Sequence, residues 1–104
     1  MGRYIFIITT TKTKENADAI SQKIVERKLS PCVQQIPNID SIFLWKNKIQ
    51  NEKEILLIIK ASSLKLEEIK DTISDFHDYE IPEIITSDFN ILNENYEKWF
   101  NNPE

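Results

Sequence analysis

Hydrophobic and polar residues are arranged along this chain with two different periods. Strand-like runs of β-branched and aromatic residues cover residues 4–10, 33–45, 48–60 and 83–89. Helical spacing, in which apolar residues recur every third or fourth position, covers residues 14–28, 64–76 and 96–100. The pattern therefore predicts the order β-α-β-β-α-β followed by a short helix.

Polar and turn-forming residues mark the expected ends of these elements. Thr13 and Ser63 precede the first two helices, and we expect both hydroxyls to cap free backbone N–H groups there. Pro37 removes a hydrogen-bond donor, which predicts a bulge or a sheet edge near Pro37-Asn38. The segment Trp45-Lys46-Asn47-Lys48-Ile49 predicts a tight hairpin turn, because asparagine tolerates positive φ better than most residues.

This element order is that of the ferredoxin-like split β-α-β fold, an α+β class with an antiparallel sheet and both main helices on one face. We expect residues 1–104 to form one such domain. Along the first strand, Ile5 and Ile7 point to one face while Phe6 and Ile8 point to the other. Both faces are therefore apolar although two helices cover only one, and self-association is the predicted remedy.

Composition and charge narrow the possible partners. The 104 residues include 13 Lys and Arg against 17 Asp and Glu, a net charge of −4, which argues against nucleic acid and anionic membranes as partners. No apolar run is long enough to cross a membrane or to resemble a signal peptide. The lone Cys32 is ordinary for a reducing compartment, so we expect a cytoplasmic location.

The stretch FHDYEIPEI, residues 76–84, concentrates the candidate chemistry. The imidazole of His77 and the distant thiol of Cys32 are ligands that copper and zinc select. A closed site needs more ligands than one Cys and one His, so Glu80 or Glu83 would take part, or subunits would share the ion, or the site would be incomplete.

Structural roles compete with this interpretation. Cys32 could be a small buried apolar residue, and His77 could simply interact with the negative end of a helix. No nucleophile, oxyanion donor or cofactor motif accompanies the carboxylates, so we expect a protein that is not an enzyme.

The order of short sequence motifs resembles one known family. The segments PCVQQIPNIDSIFLWKNKIQNEKEILLIIKAS, FHDYEIPEI and NENYEKWF are similar to the CutA family of divalent-ion-tolerance proteins. Chains of that family typically contain A-C-V-N-I, S-x-Y-x-W-x-G-K-I, E-x-x-L-x-x-K-T, H-P-Y-E-x-P-E-I and Y-x-x-W. The resemblance spans nearly the whole chain, and it implies a homotrimer of ferredoxin-like subunits that binds divalent metals, copper especially, and contributes to metal tolerance.

Carried over by position, the resemblance implies two groups of site residues. The expected metal ligands are Cys32, His77, Glu80 and Glu83. The residues expected in a cleft between subunits are Trp45, Lys60 and Tyr79. The sequence departs from the family pattern at Asp78, which replaces a proline, at Asn47, which replaces the turn glycine, and at Pro31 and Gln34 beside Cys32.

Two other ferredoxin-like functions can be compared with these residues. RNA-recognition modules need exposed aromatic and basic residues on the central strands, and the segment from Glu54 to Lys60 does not supply them. A signalling trimer like the PII-type proteins would bind a small anion or nucleotide between subunits. Without a glycine-rich loop, only cleft lysines such as Lys60 or Lys46 could hold the phosphate, and this alternative stays open.

Overall fold

The computed structural model describes residues 1–103 and has the predicted α+β architecture. Its strands are β1 (Tyr4–Thr11), β2 (Cys32–Trp45), β3 (Lys48–Ser62) and β4 (Ile85–Phe89). Its α-helices are α1 (Lys14–Glu26), α2 (Leu66–Phe76) and α3 (Glu94–Asn101). The strands form one sheet in the order β2-β3-β1-β4, and every neighbouring pair is antiparallel. None of the helices described is long and apolar enough to cross a membrane.

The hydrophobic core lies between one face of the sheet and the first two helices. Alternate residues of the two central strands point into it, as a period of two requires. Fully buried side chains come from β1, β3, α1 and α2, and they include Ile5, Ile7, Leu57, Ile59, Ile20, Ile24, Ile69 and Ile73. This face therefore supplies the internal packing of the subunit.

The opposite face of the sheet, which we call the open face, is covered by α3 at one end. There Tyr4 packs edge-on against Phe100 of α3, with ring centroids 5.4 Å apart, and its hydroxyl donates to Glu97 Oε2 at 2.6 Å. Farther along β1, Ile8 lies opposite Ile58 of β3, and both side chains are only partly buried. The expectation that two helices leave one apolar face uncovered agrees with this arrangement.

Beyond the body of the sheet, β2 and β3 continue as a two-stranded arm, residues 39–54. A register shift between Ile36 and Ile39 marks the predicted bulge, and Asn38 has a φ of 57°. The predicted turn is also confirmed, since Lys46 and Asn47 have φ values of 49° and 64°. These angles correspond to a type I′ turn, whose twist matches that of the paired strands. The tip of the arm exposes the apolar residues Ile42, Leu44 and Ile49.

The predicted cap at Thr13 is confirmed, because its Oγ1 accepts a hydrogen bond from Asn16 N. Two other local predictions were wrong. Ser63 does not cap the second helix, because β3 runs on to Ser62, whose Oγ accepts from Leu64 N and begins a short 3-10 turn, Ser63–Lys65. The last strand begins at Ile85 and not at Glu83.

The end of α1 leads to a testable prediction about stability. Leu29 N and Lys28 N donate to the carbonyls of Ile24 and Val25, which is the Schellman arrangement, and Lys28 has a φ of 59° where glycine is usual. Lys28→Gly should raise the free energy of unfolding by about 1 kcal/mol, since glycine has no Cβ strain there. Urea denaturation would measure this. Lys28→Ala keeps a Cβ and should give little gain, and an equal gain in both variants would contradict the explanation.

Candidate functional site

The FHDYEIPEI segment leaves the end of α2 and crosses the end of β1. His77 is the C-cap of α2, and its Nε2 lies 2.8 Å from the carbonyl oxygen of Thr10. A carbonyl can only accept, so Nε2 carries the proton and donates. The other ring nitrogen, Nδ1, accepts from Tyr79 N at 3.0 Å. Both nitrogens of this neutral imidazole are therefore already engaged, and neither offers a free lone pair to a metal ion.

Tyr79 continues the network to the base of the arm. Its hydroxyl donates to Glu54 Oε2 at 2.6 Å, and Glu54 is only 7% exposed. Burial and the neighbouring Glu54 carboxylate raise the pKa of the Tyr79 phenol well above its usual range. The rings of His77 and Tyr79 lie 4.9 Å apart, so the two side chains pack as one unit.

Asn16 of α1 supports the same segment from the other side. Its Nδ2 donates to the carbonyl of Phe76 at 2.8 Å, and its Oδ1 accepts from Asp78 N at 3.1 Å. Asn16 is buried, so this side chain replaces water for two backbone groups at the end of α2. We call the set Thr10, Asn16, Glu54, His77 and Tyr79 the His77 network. It connects β1, α1, α2 and the base of the arm.

Sequence reasoning did not identify Glu54 and Asn16 as members of this site. Glu54 closes the polar run Gln50-Asn51-Glu52-Lys53-Glu54, yet it is buried against Tyr79. The available signal was its position as the last charged residue before the apolar run that begins at Ile55. Asn16 follows Thr13 in the first helical turn and carries no comparable signal in the sequence.

Cys32 lies elsewhere on the sheet. Its Cα partner is Lys60, and the partner of Lys60 on β1 is Phe6, whereas His77 binds the carbonyl of Thr10, four residues farther along β1. Four residues of a strand correspond to about 13 Å. The two expected soft-metal ligands are therefore apart within one chain.

The expected carboxylate ligands do not complete a metal site within the chain. Glu80 and Glu83 are exposed on the segment between α2 and β4. Among residues 1–103, no group of three His, Cys, Asp or Glu side chains comes close enough to hold a metal ion. The donor set of one subunit therefore does not fit a closed metal site.

The expected cleft residues are also separated in one chain. Lys60 lies with its Nζ 6.0 Å from the centroid of the Tyr96 ring and lines a cavity of about 240 Å³ beside Phe6 and Phe89. Tyr79 binds Glu54, six residues before Lys60 on β3, which corresponds to roughly 20 Å. Trp45 is at the tip of the arm, opposite Lys48.

Comparison with known proteins adds family evidence to this geometry. The family described as "CutA1 divalent ion tolerance protein" matches residues 5–103. A "Probable divalent-cation tolerance protein cutA homolog" of Encephalitozoon cuniculi is 35% identical over 101 residues, which cover 97% of this chain and 88% of that protein. The crystal structure of CutA1 from Oryza sativa superposes with a TM-score of 0.91 at 31% identity, covering 96% of this chain and 92% of the other.

Some relatives are considerably longer than this chain. The "Protein CutA homolog" of Xenopus laevis is 40% identical over 83 residues, which cover 80% of this chain but 55% of the relative. "Protein CutA, chloroplastic" from Arabidopsis thaliana is 32% identical over 98 residues, which cover 94% of this chain but 54% of that protein. The chain thus spans about half the length of these relatives.

Removing the Tyr79 hydroxyl tests the role of the His77 network in stability. Tyr79→Phe leaves the buried Glu54 carboxylate without its donor, and should lower the free energy of unfolding by about 1–3 kcal/mol. Urea denaturation would measure the loss. Tyr96→Phe provides a matched control at an exposed tyrosine, with an expected change within about 0.5 kcal/mol. Equal losses in the two variants would refute a specific role for the Tyr79–Glu54 bond.

The raised pKa of Tyr79 predicts a pH dependence at alkaline pH. An unfolded tyrosine ionises near pH 10, whereas the folded Tyr79 ionises later. Above pH 10 the unfolded chain therefore binds fewer protons than the folded chain at this residue. The stabilisation linked to Tyr79 should be complete below about pH 10 and be lost as pH rises toward the folded pKa.

Ultraviolet absorbance of tyrosinate would follow this titration in the native protein. The chain has three tyrosines, and Tyr79→Phe should remove the component that ionises last. Tyr96→Phe should leave that late component in place. If Tyr79→Phe leaves the late component of the titration in place, the raised pKa assigned to Tyr79 is incorrect.

Proposed function

Because the chain belongs to the CutA1 family of divalent ion tolerance proteins, we propose that it acts in tolerance to divalent cations as a homotrimer that binds copper or another divalent ion. The trimer and the choice of copper follow from the resemblance of its sequence motifs to the CutA family. We propose a role in binding and not in catalysis, since no nucleophile with a matched base accompanies the carboxylates.

Unpaired apolar surface is the observation that supports this proposal most strongly. On the open face, Ile8 and Ile58 lie side by side and are only partly buried, and Ile36, which is 46% exposed, extends the same surface on β2. Side chains directly opposite on neighbouring strands share a face, so this surface is continuous. Contiguous apolar surface of this kind marks an interface between proteins. A second copy turned face to face would cover it.

The separation of Cys32 from the FHDYEIPEI segment supports an ion shared between subunits. Neither part forms a site alone, but a neighbouring copy can bring Glu80 or Glu83 toward Cys32. His77 is not available as a ligand, because its two ring nitrogens form hydrogen bonds with Thr10 and Tyr79. We therefore propose Cys32 with carboxylates from another subunit as the ligands, and His77 as the residue that holds the carboxylate-bearing segment.

A second candidate function is a small-ligand trimer of the PII type. The observation in its favour is the cavity beside Lys60, because none of the ion pairs within residues 1–103 uses this lysine. An unpaired ammonium group beside aromatic rings can bind an anionic ligand. The cytoplasmic location stays a prediction, and the name of the Arabidopsis relative places that protein in the chloroplast.

Native mass spectrometry of the reduced protein would test the assembly. We expect a trimer at low micromolar concentration, because separation would expose the open face. Ile58→Glu places a charge on that face and should shift the population strongly toward monomer. Leu64→Glu is the matched control at a residue that is already 90% exposed, and should stay trimeric. A monomeric wild-type protein would overturn the proposed assembly.

Native mass spectrometry also tests the proposed copper binding. Added copper should bind in steps of a small integer per trimer, and Cys32→Ser should weaken its binding by about tenfold or more. His77→Asn should retain copper, because its side-chain oxygen can still accept from Tyr79 N. Loss of copper from an intact His77→Asn trimer would instead make His77 a ligand. Uptake of ATP by a trimer that takes no metal would favour the PII-type function.

A further inference from the structure

A second cavity lies at the end of the subunit farthest from the arm. It has a volume of about 520 Å³ and is bordered by the last turn of α1, the end of β3 and the last turn of α3. Ser62 lines it, eight residues along β3 from Glu54, which corresponds to roughly 27 Å. The cavity is therefore separate from the His77 network, and Cys32 and Lys60 are not among its lining residues.

The wall of this cavity is mainly apolar. Leu29 and Phe100 are buried and belong to the packing beneath it, while Val25 and Trp99 remain 45% and 42% exposed. An indole ring half open to a concave surface offers a large contact area for an apolar group. The volume lies within the range of about 300–1,000 Å³ that is typical of small-molecule sites.

Two lysines give the cavity a positive charge. Lys28 follows α1 in the left-handed conformation, and Lys65 is the N-cap of α2 without making a side-chain cap bond. Neither lysine forms an ion pair with any other residue between 1 and 103. A lysine in the left-handed conformation costs about 1 kcal/mol relative to glycine, so the chain keeps this ammonium group at some expense in stability.

The C-terminal ends of two helices disfavour a bound anion in this cavity because they carry partial negative charge. The positive charge of the two lysines must exceed this effect. Helices α1 and α3 both end at this cavity, and a helix C-terminus carries the equivalent of about half a negative charge. Several last-turn carbonyls already accept hydrogen bonds: those of Ile24 and Val25 accept from Leu29 and Lys28, and that of Trp99 accepts from Asn102. Among residues 1–103, the two full positive charges of Lys28 and Lys65 therefore exceed the partial negative charges of these two helix ends.

From this combination we propose that the cavity binds a small amphiphilic carboxylate. The carboxylate head pairs with the ammonium groups of Lys28 and Lys65, and the apolar body packs against Val25 and Trp99. An inorganic anion would use only the lysines, and a neutral apolar molecule would use only the wall. The chemistry of the lining thus selects a ligand that has both parts.

Fluorescence of Trp99 tests this proposal in the 104-residue chain. The protein has two tryptophans, so Trp45→Phe leaves Trp99 as the only indole. Titration with octanoate should give a saturable change in its emission, while acetate and inorganic phosphate at the same concentrations should give none. No saturable change with octanoate, or an equal change with acetate or phosphate, would overturn the proposal.

Lysine variants on the Trp45→Phe background test the assigned charges. Lys28→Gly with Lys65→Ala should weaken octanoate binding by about tenfold, and glycine at position 28 suits the backbone, so folding is preserved. Lys46→Gly with Lys48→Ala is the matched control, because Lys46 is also left-handed and the change in net charge is identical. Its octanoate affinity should be unchanged.

Two further results would count against an amphiphilic carboxylate. If both double variants lose affinity equally, the effect is one of overall charge and the assigned lysines are not the site. If Trp99 emission depends on protein concentration in the absence of octanoate, a second copy of the chain occupies the cavity. Either result would overturn the proposal, whether or not the protein binds metal.

Discussion

The dominant constraint in this subunit is a four-stranded sheet that is apolar on both faces, with two long helices to cover only one. Burial of isoleucine and leucine side chains under α1 and α2 provides the core. The same alternation of side chains places Ile8, Leu56 and Ile58 on the open face, where all three are only partly buried. One chain by itself therefore leaves apolar surface uncovered, and this is the surface that the proposed assembly would bury.

The arm carries uncovered apolar surface beyond the body of the sheet. Its paired strands leave Ile42, Leu44 and Ile49 68–79% exposed near the tip. At its base, the buried Glu54 is held by Tyr79, and Tyr79 is aligned by His77. The His77 network thus connects the base of the arm to the end of α2. His77 and Glu54 have side chains that could bind a metal, but here they hold these two parts of the fold together.

The chemistry of the chain is distributed over separate places. Cys32 pairs with Lys60 on β3. The FHDYEIPEI segment crosses the sheet near Thr10, at the end of β1. The cavity lined by Lys28 and Lys65 lies beside the last turns of α1 and α3. A hydrogen-bonded imidazole such as His77 differs from a ligand that is free to bind, because a metal must compete with Thr10 and Tyr79 for its nitrogens. Within one chain, these three places therefore do not meet in a single site.

The sequence by itself determined the order of elements, the hairpin turn at Asn47 and the bulge at Asn38, since these depend on local periodicity and backbone preferences. Its short motifs also identified the family. Only the tertiary structure decided that Ser62 takes the place of Ser63 as a cap, that Glu54 is buried, and that both nitrogens of His77 are occupied. Those outcomes depend on contacts between residues far apart in the chain, such as Thr10 with His77, and spacing along a sequence does not specify which distant groups will meet.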